Sequence, residues 1–309
     1  MKYSLSLFFH NLYIIFVSGG VKMTIESLKS KIEEHGMITH AGSYHADDVL
    51  STVLINILIN DGEIDPYELD ENSSRFVFPS RITSILENSV GDAFVYDIGG
   101  GKFDHHQVTA DRRINGEKYS AIGLIWREFG HKFVKSQLGS GENRIVMSVF
   151  NSIDRYFQYI DLTDNVGLGE AFNNISASIS SMSQYGIPFE KAVKTVAPLL
   201  ISFMDLEIQN GKQMLEAAKI ADQTQDDYYV IPDDEPYIPA KVFYGTHLRF
   251  IVSKSNRVGY NVNAVPGNKI EFERDDLPGC TFLHTGKFMA VFDTKENALK
   301  AAEKIVAKK

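Results

Sequence analysis

Residues 93–107, Ala-Phe-Val-Tyr-Asp-Ile-Gly-Gly-Gly-Lys-Phe-Asp-His-His-Gln, constrain this chain more than any other stretch. Ala93 to Tyr96 have the length and apolar character of a buried strand; Asp97 ends the run and three glycines follow. An open α/β sheet places its ligands at such a point, at the carboxyl end of a strand. Gly99, Gly100 and Gly101 carry no side chain, so the backbone can turn tightly and come close to a bound group. Asp104-His105-His106 then sets three metal- or phosphate-binding groups in a row. Taken alone, the triplet also fits a solvated turn.

A second stretch, His40-Ala-Gly-Ser-Tyr-His45-Ala-Asp47-Asp48, follows a short strand-like run at 36–39. It leads into Val49, Leu50, Val53, Leu54, Ile57 and Leu58, which recur at helical spacing over 48–60. The chain has nine histidines, and His40, His45, His105 and His106 fall in these two stretches beside Asp47, Asp48, Asp97 and Asp104. Imidazole with carboxylate suits Mn2+, Fe2+, Zn2+ or Co2+, and the lack of thiolates argues against a structural zinc knuckle. Two such clusters at strand ends are what a dinuclear hydrolytic site needs, with metals roughly 3.5–4 Å apart clamping the attacking and leaving oxygens. Each histidine singly fits a hydrogen-bonded core role. So many polar groups buried together without metal would be costly. Asp48, at a helix N-terminus, also fits a helix cap.

His-x4-His-x-Asp at 40–47, the strand-end Asp97 and the triplet at 104–106 resemble the successive motifs of the DHH phosphoesterase superfamily. Within it the chain resembles the melanocyte-proliferating-gene (MYG-type) exonuclease family, through islands at 39–50, 95–107, 120–132, 161–165, 264–266 and 278–280. The resemblance implies His40, His45, Asp47, Asp97, His105 and either Asp161 or Asp164 as ligands of two divalent metals. Asp97 is expected to bridge, as the central strand-end carboxylate. Manganese is the expected metal, with Mg2+, Co2+ and Zn2+ as alternatives. The pair activates water for in-line attack on phosphorus. His106 faces the scissile phosphate, stabilising charge or protonating the leaving oxygen, and Asp104 orients a histidine. The implied activity is 3′–5′ exonucleolysis of single-stranded RNA or a short oligonucleotide. A small-molecule phosphohydrolase acting on a nucleotide or dinucleotide is the second reading, and a catalytically silent metal-binding regulator the third.

Net charge supports small or short substrates. At −9 the chain is awkward for a long nucleic-acid footprint, because lysine and arginine contacts to phosphate dominate such affinity. Two metals would reverse the field within the cleft, so a phosphate can still be held there. The single cysteine, Cys280, excludes a disulfide framework and fits a reducing compartment, read as cytoplasm, with mitochondrion or nucleus as eukaryotic alternatives.

The 309 residues suggest two domains. Residues 1–22 read as a non-native or processed extension whose apolar run, 5–17, is too short to cross a membrane. No membrane role is expected. Helices are expected at 25–34, 48–60, 80–88, 119–129 and 144–160, alternating with strands at 37–39, 76–78 and 93–97. The fold class is therefore α/β, a parallel sheet with helices on both faces, and the resemblance makes residues 23–205 a DHH-like catalytic domain. The serine-rich stretch 176–183 reads as a loop without chemistry. A helix at 189–222, with Gly211 its one expected break, leads to a polar, proline-bearing connection. Strands at 241–244, 248–253, 260–265 and 288–292 and a helix at 294–307, with Asp293 and Glu296 as a capping box, give a smaller C-terminal α+β cap within 206–309. Lysines on that last helix read as a solvated face. His284 between two glycines is considered for closing the cleft.

Overall fold

A computed structural model describes residues 23–65, 69, 75–84, 90–139, 142–166 and 175–308. The expected extension at 1–22 and residues 85–88 of the helix expected at 80–88 lie outside them. Among the described residues the chain is α/β, with seven α-helices, a small parallel sheet and a second, mixed sheet.

The first layer is built on α1 (Ile25–His35), β1 (Met37–His40) and α2 (Ala46–Ile59). Every residue of α2 is buried, so it is a central core helix rather than an amphipathic surface one. β2 (Ser80–Ile82) and β3 (Phe94–Val95) flank β1, and both pair with it in parallel. All three strands therefore end at the same edge, next to the N-terminus of α2. Residues 76–78 do not join the sheet. The buried Asn56 explains this: its amide donates to the Val77 carbonyl and accepts from the Val77 nitrogen, at 2.9 and 2.7 Å. A side chain thus takes the bonds a neighbouring strand would have taken, and pairing starts at Ser80.

α3 (Ala121–Leu138) and α4 (Asn143–Val166) both run past their expected ends at 129 and 160. Trp126 of α3 stacks on Phe150 of α4 with centroids 5.4 Å apart, deep in the core rather than on a ligand. The serine-rich stretch is a helix, α5 (Ile175–Gln184). Ile175, Ile179 and Met182, at helical spacing, anchor it against its neighbours. α6 (Phe189–Gln223) is continuous through Gly211. A Cβ there would come within 2.7 Å of Val149 Cγ2, so this glycine serves close helix packing.

β4 (Tyr228–Val230), β5 (Phe250–Lys254), β6 (Tyr260–Ala264), β7 (Cys280–Leu283) and β8 (Met289–Phe292) form the mixed sheet, in the order β4-β5-β6-β8-β7. α7 (Lys295–Ala307) packs its Ala298, Ala301, Ala302 and Ile305 into this sheet's core. The strand expected at 241–244 is instead mostly a 3-10 turn, Ala240–Phe243, because Pro239 starts it and its carbonyl accepts from Val242 N. The cap of α7 is Thr294, whose hydroxyl accepts from Asn297 N; Glu296 pairs with Lys300 instead. Lys295 also pairs with Asp233, and Lys304 and Lys308 donate to backbone carbonyls, so this face is engaged structurally. The His284 ring lies 4.0 Å from that of Phe288, in the β7–β8 hairpin. No helix among the described residues is long and apolar enough to cross a membrane.

Candidate metal centre and pocket

The shared edge of β1, β2 and β3 collects the polar residues. His40 is the last residue of β1, and Asp47 and Asp48 lie in the first turn of α2. Asp97, two residues past β3, has φ +58, a left-handed conformation that costs a side chain energy but suits Asp better than most. Gly99 and Gly100 continue the turn with φ +94 and +71. Asp97 N donates to the Phe103 carbonyl, closing the loop and aiming Asp104, His105 and His106 back at the strand end. The last turn of α4 supplies Asp164.

Two groups meet at Asp97. His40 Nε2 lies 3.1 Å from Asp48 Oδ2 and 3.2 Å from Asp97 Oδ2. On the other side, His105 Nε2 lies 3.2 Å from Asp97 Oδ1, 3.4 Å from Asp47 Oδ2 and 3.3 Å from Asp164 Oδ2. Ligand atoms of His45, Asp47 and Asp164 also converge, as do those of Asp97, His105 and His106. The ring of His40 is fixed by Nδ1–H donating to the Ala41 carbonyl at 3.0 Å, which leaves Nε2 for the cluster. His105 Nδ1 meets Asn165 Oδ1 at 3.3 Å, to the same effect. The His106 ring is 62% exposed and lines the pocket, with Nδ1 held 2.8 Å from Asp104 Oδ1. Asp104 is itself tied to the nitrogens of Gly100 and His106.

Electrostatics report a crowded, cation-seeking cluster. Contact with Asp48 and then Asp97 raises His40 to about 11. Burial opposes charge on His105, yet Asp47 and Asp97 lift it to about 11 as well. Burial raises Asp48 to about 7 against the pull of His40. Burial, then the charge of Asp47, raises Asp164 to about 9 and Asp97 in the same direction. Asp47 is held low despite burial, by His105.

The donor set fits divalent metal. Asp47 Oδ2, Asp48 Oδ2 and Asp97 Oδ1 are buried without an aligned hydrogen bond, although each lies 3.1–3.4 Å from an imidazole nitrogen. One N–H cannot point at two or three carboxylates at once, whereas a cation can sit among them all. Ligation needs the histidines neutral and Asp164 ionised, so cation binding at neutral pH must release protons, and affinity must rise with pH. We expect Mn2+ titrations in buffers of different ionisation enthalpy to show that release; affinity flat or falling from pH 6 to 8 would refute it.

Of the residues expected from sequence, His40, His45, Asp47, Asp97, Asp104, His105, His106 and Asp164 come together. Asp161 does not. It is fully buried one turn back on α4, where its carboxylate accepts from Arg113 Nε, Ser120 N and Ser120 Oγ. Arg113 Nη1 donates to both oxygens of Asp154, at 3.0 and 2.9 Å. Asp161 therefore holds the start of α3, and Gly123 is required there because a Cβ would strike the Asp161 carboxylate. Asp48, read from sequence as a cap, does both jobs: Oδ1 accepts from His45 N while Oδ2 faces His40. Asn165 and Arg81 also support the site. Arg81 donates to the carbonyls of His40 and Gly42 and stacks over Phe189 at 4.5 Å, bracing the first motif. Only the run Asp161–Asn165 could have pointed to Asn165, and nothing in the sequence marks Arg81. The cluster opens on a pocket of about 670 Å³, lined further by Lys118, Thr163 and serines of α5.

A family model described as "Uncharacterised protein family (UPF0160)", that of the MYG1 exonucleases, matches residues 36–278. The chain is similar to the MYG1 protein of Dictyostelium discoideum, 23% identical over 86% of this chain and 94% of the relative. It is similar to the MYG1 exonuclease of Homo sapiens, 21% identical over 88% and 85%, and to that of Rattus norvegicus, 20% identical over 88% and 84%. No solved structure matches.

Proposed function

The chain belongs to the MYG1 exonuclease family, and from that premise we propose that it is a metal-dependent phosphodiesterase, a 3′–5′ exonuclease on RNA. The observation that carries the reading is Asp97, whose two oxygens face two separate histidine–carboxylate groups as a shared ligand would. His40, Asp48 and Asp97 would hold one cation; Asp47, His105 and Asp164, with His45 and the other Asp97 oxygen, would hold a second. Two Mn2+ ions, when bound, supply an activated water and neutralise charge on the phosphate.

The protein's own residues do the rest. Asn165 and the Ala41 carbonyl keep His105 and His40 in the tautomer that presents Nε2. Asp104, lowered to about 2 chiefly by the bond from His106 against its burial, raises His106 in return. His106 Nε2 can then carry a proton to the leaving oxygen. On this reading residues 23–205 are a DHH-like catalytic domain and 206–309 a connector and cap. The acidic net charge and the limited size of the pocket support a second reading, hydrolysis of a dinucleotide or nucleotide.

The test is a 5′-labelled single-stranded RNA with Mn2+, beside a dinucleotide and a chelated control. The expected result is metal-dependent stepwise shortening from the 3′ end. Cleavage of the dinucleotide alone would transfer the conclusion to the second reading, and no turnover on either would sink both.

A further inference from the structure

The pocket continues beyond the histidine–carboxylate cluster onto a wall that the chemistry above does not use. Ser176, Ser180 and Ser183 of α5 recur at intervals of four and three, on one helix face, and all three line the pocket. Ser176 shares its hydroxyl with Thr163 at 2.8 Å, and Ser183 accepts from Tyr44 N. Lys118 is the one lysine or arginine in the described lining, and among the described residues no carboxylate pairs with its ammonium. Its backbone is fixed beside the cluster, because its carbonyl accepts from the same Asn165 amide group that faces His105.

Equally telling is how little surface the described lining offers a base away from the cluster. The described lining contains no phenylalanine or tryptophan. Tyr44 is 3% exposed, gives its hydroxyl to the Ile187 carbonyl and sets its ring edge-on to Phe189. Among the described lining residues the exposed aromatic faces are imidazoles of the cluster itself, His45 and His106, so base stacking on phenylalanine, tyrosine or tryptophan, the usual grip on single strands, has no platform there. Hydroxyls and one cation instead match a sugar and a phosphate, and the whole pocket, about 670 Å³, is within the range of small-ligand sites.

We propose that this arm of the pocket is a subsite for the sugar-phosphate of a terminal ribonucleotide, with Lys118 on the phosphate and the α5 hydroxyls on the sugar. The end residue is held without regard to its base, and the ribose 2′-hydroxyl is part of what is read. The identity of the ligand rests on the nuclease reading; the test does not need turnover.

The test is calorimetric binding of AMP, UMP, dAMP and adenosine to the full chain in Mn2+ buffer. AMP and UMP should agree within about threefold, and dAMP should bind about fivefold more weakly for the lost hydroxyl. Lys118→Met should weaken AMP about tenfold or more while leaving adenosine unchanged, since a charge-assisted contact to phosphate is removed. Ser180→Leu should abolish binding by filling the wall, and Ser180→Ala should weaken it a few-fold, with melting curves confirming that each variant folds. Failure of AMP to bind, a tenfold preference between AMP and UMP, or wild-type affinity in Lys118→Met and Ser180→Leu would overturn the proposal. If RNA is not cut but AMP binding depends on Lys118 and Ser180, the nuclease reading falls and the subsite stands. If RNA is cut and these variants change neither KM nor AMP affinity, the subsite falls and the nuclease stands.

Discussion

Asp97→Asn is expected to lower Mn2+-dependent phosphodiester hydrolysis by about 1,000-fold or more, with the fold intact. The substitution keeps the shape of the side chain, and asparagine is the residue best able to follow aspartate into the left-handed backbone found there, φ +58. What it removes is one anionic oxygen of a carboxylate whose Oδ2 serves the His40 side and whose Oδ1 serves the His105 side. An amide can face only one group with oxygen; the other receives an NH2, which repels a cation. Losing a shared ligand withdraws several kcal/mol of charge stabilisation from both halves of the centre, and each 1.4 kcal/mol is tenfold in rate. Single-turnover rates against Mn2+ concentration, with circular dichroism for the fold, give the answer. A variant within tenfold of wild type at saturating Mn2+ would mean that Asp97 is not a shared ligand.

The parts of the site legible in the sequence are those written as local order. Asp97 and the triplet at 104–106 could be found because a strand end, three glycines and three donor residues follow one another within a short run. What stayed hidden depends on which face of an element meets which neighbour. Asp161 and Asp164 are three residues apart on α4, about 60° apart around its axis. Only the arrival of Arg113 and Ser120 over one of these faces decides that Asp161 is structural. The serines of α5 hid a sparse Ile175, Ile179, Met182 stripe, so a helix that walls the pocket read as a loop. Residues 76–78 carry strand composition, but the amide of Asn56 on α2 takes both backbone bonds of Val77. Long-range partners of this sort leave no local mark.

A paired experiment on α4 separates structure from chemistry along a single helical turn. At pH 8, Asp161→Asn should destabilise the fold by about 3 kcal/mol or more. Burial lifts Asp161 to about 6 against the pull of Arg113, so at pH 8 it is an ion accepting from Arg113 Nε on one oxygen and from Ser120 N on the other. An amide offers one acceptor, so one of those N–H groups is left facing an NH2, and a buried donor without a partner costs about 1–3 kcal/mol besides the lost ion pair. Asp164→Asn should behave in the opposite way. Burial and Asp47 hold Asp164 at about 9, so in the metal-free protein it is already mostly neutral, and an isosteric amide changes little. Its effect appears only with cation, as a lost Mn2+-dependent rise in melting temperature and lost turnover, because ligation needs the ionised oxygen. Denaturant melts of the two variants with and without Mn2+ give four midpoints. If Asp161→Asn melts like wild type while abolishing the Mn2+ shift, the two aspartates have been assigned the wrong way round. If Asp164→Asn keeps the full Mn2+ shift, the last turn of α4 is not part of the centre, and the second group must be held by Asp47, Asp97 and the histidines alone.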